Sequence, residues 1–428
     1  MAPNSKKYVL FIPDGAADLI RIDRRSPIAL ARTPHCDFIA REGVSGLMQS
    51  LYEDLPKESI VAQLGMLGWA PHVFYPSGRA SCELLALDDV ALDEGDLAFR
   101  ANLSLMEGRT LVSYNANYIS SEDARPLIEK LKAELRGEFP DFELYHNAEF
   151  RNTLVVRGAG ATPESIVCPM PHESHGCQFD VGQLVTAATE EGAPVARRLN
   201  SFLARAQEVL AGERSNVLFP WSASKPLRLT PFRENSGFGG PAAIVGCMDF
   251  LHGIAKAGGI DFFKVGNGRP DTDYGAKGAK VVQLLEEGYE LVVCHVNATD
   301  EASHMGDLEL KITCMEAIDD LTLRPVVEYF SRRPEELGGV MIVPDHYTNV
   351  AARWRGGKRV ETHSAHPVPF ALWNGRDRDD VTAYGEDEAA RGRYGAQPVS
   401  HLDLLDLLGD GRPSGARSRR AMQFVASQ

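Results

Sequence analysis

Apolar residues along the chain gather into short continuous runs separated by longer amphipathic stretches. Tyr8–Ile12 (YVLFI), Leu291–Val296 (LVVCHV) and Val340–Val343 (VMIV) are rich in β-branched and aromatic residues and too short for buried helices, so they read as buried strands. Phe262–Val265 reads as a further strand. Between them, Ala242–Ala257 and Tyr274–Glu287 read as helices, and apolar residues at Leu310, Ile312, Met315, Ile318, Leu321 and Val326 mark one face of a helix over Leu308–Phe330. Strands alternating with helices predict an α/β fold, a parallel sheet covered by helices.

The middle of the chain has a different rhythm. Ser121–Leu135 and Val195–Ala211 read as helices, and Phe142–Tyr145, Thr153–Arg157 and Asn216–Phe219 as short strands. This pattern predicts a smaller α+β domain over residues 106–230, inserted between a first part at 1–105 and a second at 231–428. Glu190–Pro194 and the glycine-rich Phe232–Gly240 read as loop or hinge segments.

Composition narrows the classes. A chain of 428 residues with 44% hydrophobic and 24% charged residues suits a soluble globular protein. The net charge of -14 argues against a general nucleic-acid binder, which needs basic surface. No apolar run reaches membrane-spanning length, and the run after Lys7 is too short for a signal-peptide core. The 7 cysteines are scattered without a C-x-x-C pair, which suits reduced thiols in the cytoplasm.

The strand ends carry the candidate chemistry. Asp14 follows the first run, and Asp345-His346 follows VMIV. Asp300 and His304 follow LVVCHV, and four residues apart they share one face if a helix begins there. Open α/β sheets bind ligands at this carboxyl edge. Each residue also has a plainer reading: Asp300 as a helix cap, Asp14 and Asp345-His346 as polar turns, and His363 or His366 as a loop histidine. Ser59 stands just before a helix that the sequence predicts from Ile60; it could cap that helix, and a helix start would also favour an anionic phosphoserine.

Taken in order, an Asp after the first strand, a Ser before a helix, Asp-x-x-x-His, Asp-His and then His resemble the metal centre of the alkaline phosphatase superfamily. Within it the chain resembles the archaeal-type cofactor-independent phosphoglycerate mutases. The resemblance runs over most of the chain and is clearest at Phe11–Asp18, Asp54–Leu67, Glu94–Asn102, Asp271–Lys277, His295–Asp307 and His363–Phe370. It implies an alkaline-phosphatase-like sheet and two divalent metals. Asp14, Ser59, Asp345 and His346 would surround one metal, and Asp300, His304 and His363 would hold the other. Ser59 would be the nucleophile, carrying the phosphoryl group of a small phosphorylated substrate. Mixed imidazole and carboxylate donors suit manganese or zinc better than magnesium.

The substrate side departs from that family. Its serine is followed by Asp-Thr-Ala and then His or Asn, where this chain has Ile60-Val61-Ala62-Gln63. Its arginine-rich clamp is matched by Ser113–Tyr118 (SYNANY), its Gly-His-Arg by Glu149-Phe150-Arg151, and a lysine by Asn297. Pro171-His172 is kept. Arginine is the side chain best matched to carboxylate or phosphate, and a neutral asparagine does not replace its charge. The expectation is therefore a substrate other than 3-phosphoglycerate, touched by Tyr114, Asn115, Asn117, Arg151, His172 and Lys277. A closing second domain favours a mutase; the stripped clamp favours a phosphatase or phosphonate hydrolase with the same centre. The intact ligand set speaks against a non-catalytic metal-binding paralogue.

Overall fold

The computed structural model describes residues 6–87, 90–351 and 362–419. The chain forms two compact units, one from the residues up to Tyr75 and from Leu229 onward, the other Pro76–Arg228. Among the described residues no helix is long and apolar enough to cross a membrane.

The larger unit is built on an eight-stranded sheet. Its centre is Leu291–Val296, Lys7–Pro13 and Leu337–Ile342, side by side and parallel, with Val9 paired to both Val292 and Val340. Val9, Leu10, Ile12, Val292, Val340 and Met341 are fully buried, as expected of strands covered on both faces. Val368–Trp373 runs antiparallel to its neighbours, while the other strand pairings are parallel. Helices cover the sheet, and the mixed α/β class expected from the sequence is the one observed.

Tyr274–Glu287 is a helix with the predicted bounds, started by Asp273, whose carboxylate accepts from the Ala276 amide. Ala242–Ala257 is not one helix. Ala242–Gly246 is a strand of the main sheet, and only Asp249–Gly258 is helical. A strand buried on both faces has no alternation, so periodicity alone does not separate it from a buried helix. The long helix over 308–332 is interrupted at Ile318–Leu323 by a π-helical turn. That turn presents Asp319, whose carboxylate accepts from the His35 and Cys36 amides and so caps the helix Pro34–Arg41.

The smaller unit has its own sheet. Leu97–Glu107 pairs with Thr110–Ser113, Arg151–Val156 and Val217–Ser224, and Phe142–Ala148 lies at the far edge. The helices Ser121–Leu135 and Ala193–Val209 bury Ile128, Leu131, Leu199 and Leu203 in the same core as Phe99, Leu154 and Phe219. The first division, expected after residue 105, falls after Tyr75, because Leu97–Glu107 is a main strand of the smaller sheet rather than the end of the larger unit.

Candidate metal centre

Three loops leave the carboxyl ends of the three central strands and converge. Asp14 follows Pro13, and its amide donates to Val296 O at 3.0 Å. The chain leaving Leu291–Val296 turns at Asn297 into the helix Ala298–His304, placing Asp300 and His304 one turn apart. Leu337–Ile342 leads to Asp345 and His346, both fully buried. Tyr347–Thr348 then pairs antiparallel with His363–Ser364, which brings His363 back to the same place. Ser59 arrives from another part of the chain, as the first residue of the helix Ser59–Met66.

All seven predicted residues meet in this region. Asp14, Asp345 and His346 offer donor atoms within 4.8 Å of one another, and so do Asp300, His346 and His363. His346 thus stands in both groups, where the resemblance had implied only one. Ser59 Oγ lies 3.0 Å from His346 Nε2, which is 3.4 Å from Asp14 Oδ1 and 3.6 Å from Asp345 Oδ2. His304 Nε2 is 3.2 Å from both Asp300 Oδ2 and His363 Nε2, and His363 Nε2 is 3.3 Å from Asp300 Oδ1.

Hydrogen bonds aim these donors. His363 Nδ1 donates to the Lys57 carbonyl at 2.8 Å, which turns Nε2 toward Asp300 and ties the ring to the chain two residues before Ser59. The Gly15 amide donates to Asp345 Oδ1 at 3.0 Å, and Gln63 Nε2 to Asp345 Oδ2 at 3.2 Å. Thr299 Oγ1 donates to the Asp14 carbonyl. Gln63, Gly15 and Thr299 were not legible as site residues. Nor was His295, whose Nε2 lies 3.3 Å from Asp14 Oδ2; burial pushes its pKa down to about 4, so the ring is neutral.

The electrostatics fit divalent cations. Asp14, Asp300 and Asp345 are buried together, and confining several carboxylates away from water is costly unless cations balance them. Burial pushes the Asp345 carboxyl up, with Asp300 as a further cause, while the hydrogen bond from the Gly15 amide opposes it. Burial also acts to raise Asp300, but hydrogen bonds with His304 and His363 hold it well below the usual carboxylate range. Closely grouped carboxylate oxygens and imidazole nitrogens are the donors such cations take.

The six expected substrate residues are divided between the two units. Tyr114, Asn115, Asn117, Arg151 and His172 belong to the smaller unit and Lys277 to the larger. Asn115 is buried, its Oδ1 accepting from Ser113 Oγ at 2.9 Å and from the Tyr118 amide at 3.3 Å. Ala116, Asn117 and Tyr118 all have positive φ, between 47° and 58°, so this loop is held in a costly backbone form. The Asn117 amide donates to Ser113 Oγ. Tyr114 meets Phe150 edge-on, and Arg151 lies over the Phe150 ring and pairs with Glu149 at 2.7 Å. His172 stands against Trp221, whose other neighbours are Arg100, stacked at 4.3 Å, and Asn102, which accepts from the indole N–H. Lys277 is fully buried, its ammonium donating to His295 O at 3.2 Å.

An α/β sheet with paired carboxylate–histidine clusters and a serine at its carboxyl edge defines a metal-dependent phosphotransferase class, and comparison with known proteins narrows it. The family model described as 2,3-bisphosphoglycerate-independent phosphoglycerate mutase matches residues 40–216. A mutase of that name from Methanosarcina barkeri is 31% identical over 94% of this chain and 99% of its own length. One from Methanopyrus kandleri is 32% identical over 95% and 96%. Among solved structures, a Pyrococcus horikoshii protein superposes with a TM-score of 0.73 at 24% identity, covering 95% of this chain and 97% of that one. The cofactor-independent phosphoglycerate mutase of Thermoplasma acidophilum follows with 0.60 at 23%, covering 94% and 99%. The chain belongs to the archaeal-type cofactor-independent phosphoglycerate mutase family.

Proposed function

We propose that this protein is a phosphomutase that works through a phosphoryl group carried on Ser59, on a small phosphorylated metabolite other than 3-phosphoglycerate. The observation that carries the mechanism is Ser59 Oγ, 3.0 Å from His346 Nε2 at the meeting point of both donor clusters. Asp14, Ser59, Asp345 and His346 would hold one divalent ion and Asp300, His304 and His363 the other, with manganese or zinc favoured by the nitrogen donors. Bound there, the ions supply positive charge that lowers the pKa of the serine hydroxyl and balances the phosphoryl oxygens.

The chain's own residues do the rest. Ser59 presents its oxygen from the first turn of a helix, whose exposed amides and dipole favour the negative charge that phosphorylation brings. His346 and the carboxylates around it fix where that oxygen sits. A mutase returns the phosphoryl group to a different oxygen of the same molecule, so it holds the dephosphorylated intermediate and keeps water away. The substrate reading is supported by Ser113–Tyr118, a loop without a cationic side chain that spends Asn115 on its own hydrogen bonds, and by Arg151, already paired with Glu149. The seven free thiols suit a reducing compartment such as the cytoplasm.

The test is turnover of the manganese-loaded and zinc-loaded protein on 3-phosphoglycerate, coupled to enolase, beside a panel of phosphomonoesters and phosphonates followed for isomerisation and phosphate release. Isomerisation of another phosphomonoester, with 3-phosphoglycerate turned over at least about 100-fold more slowly, is the expected result; losing one or two charge-assisted contacts is worth roughly that factor. Efficient 3-phosphoglycerate turnover would overturn the substrate reading, and phosphate release without isomerisation would make the protein a phosphatase.

A further inference from the structure

We infer that the Thr348 hydroxyl is a positioning group that couples the two donor clusters by orienting Asp300 and setting the tautomer of His346. The inference rests on the two-metal reading above. Thr348 is fully buried, and its Oγ1 lies 2.7 Å from Asp300 Oδ1 and 3.0 Å from His346 Nδ1. It therefore touches a donor of the second cluster and the histidine common to both.

The proton count gives the direction of each bond. An ionised carboxylate only accepts, and a threonine hydroxyl has one proton to give. That proton goes to Asp300, so toward the ring Oγ1 is an acceptor and His346 Nδ1 carries the hydrogen. His346 Nε2 is then the lone-pair nitrogen, and it is the one facing Ser59 Oγ, Asp14 Oδ1 and Asp345 Oδ2. The opposite tautomer would point an N–H into the space between those donors and leave Nδ1 facing a hydroxyl with no proton left. One hydroxyl thus makes His346 competent as a ligand and fixes the rotation of Asp300.

Thr348 is itself held on several sides. Its amide donates to Ala17 O at 3.0 Å, and its carbonyl accepts from Lys311 Nζ at 2.7 Å. Room for the hydroxyl comes from Gly15, at φ +61°: a Cβ there would stand 2.3 Å from Thr348 Oγ1 and 2.7 Å from Asp300 Oδ1. The same glycine supplies the amide that holds Asp345. The hydroxyl, the glycine and the buried lysine form one support behind the donors, of the kind that tunes metal sites from outside the ligand shell.

Two readouts test this besides turnover. Long-range proton–nitrogen spectra of the metal-free wild type, with the His346 signals identified by their loss in His346→Gln, should show the hydrogen on Nδ1. Manganese titration of metal-free protein should show binding weakened about 10- to 100-fold in Thr348→Val, the usual cost of losing such a support, and largely restored in Thr348→Ser. A purely structural role would lower the melting temperature of Thr348→Val without moving the tautomer or the affinity. A hydrogen on Nε2 in the wild type would overturn the inference even if Thr348→Val does not fold, as would a folded Thr348→Val with wild-type affinity and tautomer. Wild type that takes up no metal would instead sink the two-metal reading, and the tautomer spectrum would still decide the hydrogen-bond assignment.

Discussion

Ser59→Ala should abolish turnover while leaving the fold intact. The side chain removed is small, and the helix cap is the preceding Glu58, so the helix Ser59–Met66 loses no capping bond. Alanine is also the best helix former, which makes a stability change beyond about 0.5 kcal/mol unexpected. On the proposed mechanism the reaction, in contrast, loses the atom that accepts the phosphoryl group. Removing a nucleophile that works as part of a unit costs on the order of 10⁴-fold or more in kcat. The comparison requires equal metal loading, because Ser59 is also a proposed ligand. A Ser59→Ala protein that keeps its melting temperature and turns over within tenfold of wild type would refute the phosphoserine mechanism.

Lys311→Met should be the most destabilising single change near the site. Lys311 and Asp18 are both fully buried, with Nζ 3.0 Å from Asp18 Oδ2. Nζ also donates to Ala17 O at 3.3 Å and to Thr348 O at 2.7 Å, so all three ammonium protons have partners. Burial pushes the lysine pKa down while Asp18 pulls it back up, the signature of an ammonium that stays buried only because a carboxylate faces it. Methionine fills the space but leaves Asp18 as a buried anion without its cation, which costs about 3–5 kcal/mol. Asp18→Asn added to Lys311→Met should recover part of that loss, since it removes the stranded charge. Denaturant unfolding of the metal-free proteins measures both. An unchanged midpoint in Lys311→Met would show that the pair is not what holds the Asp14–Asp18 loop to Thr348.

How much of this could be seen in the chain alone depended on distance along it. Asp14, Asp300 and Asp345-His346 were legible because each directly follows an apolar run, and a strand end is a local feature. His363 and Ser59 have no such marker and came only from the order of the whole set. Thr348 was missed although it stands two residues beyond His346, because its role exists only once strand pairing brings it under Asp300. Gly15 and Lys311 were missed for the same reason: a close approach and a buried ion pair are made by chain segments far apart. The strand Ala242–Gly246 was read as helix because a doubly covered strand shows no period of two. The first limit of the smaller unit was misplaced because Leu97–Glu107 is a main strand of the smaller sheet, a membership set by pairing with strands far along the chain. Metal-type donors leave dense local marks in a sequence, whereas the shape of a loop such as Ser113–Tyr118, with three successive residues at positive φ, does not show in its residues.

The central claim is that this chain holds two divalent ions, one on each side of His346. Anomalous diffraction from crystals grown with manganese tests it most directly. Two peaks per chain are predicted, one among Asp14, Ser59, Asp345 and His346 and the other among Asp300, His304 and His363. A single peak, or peaks that avoid these side chains in protein with all seven residues ordered, would contradict it.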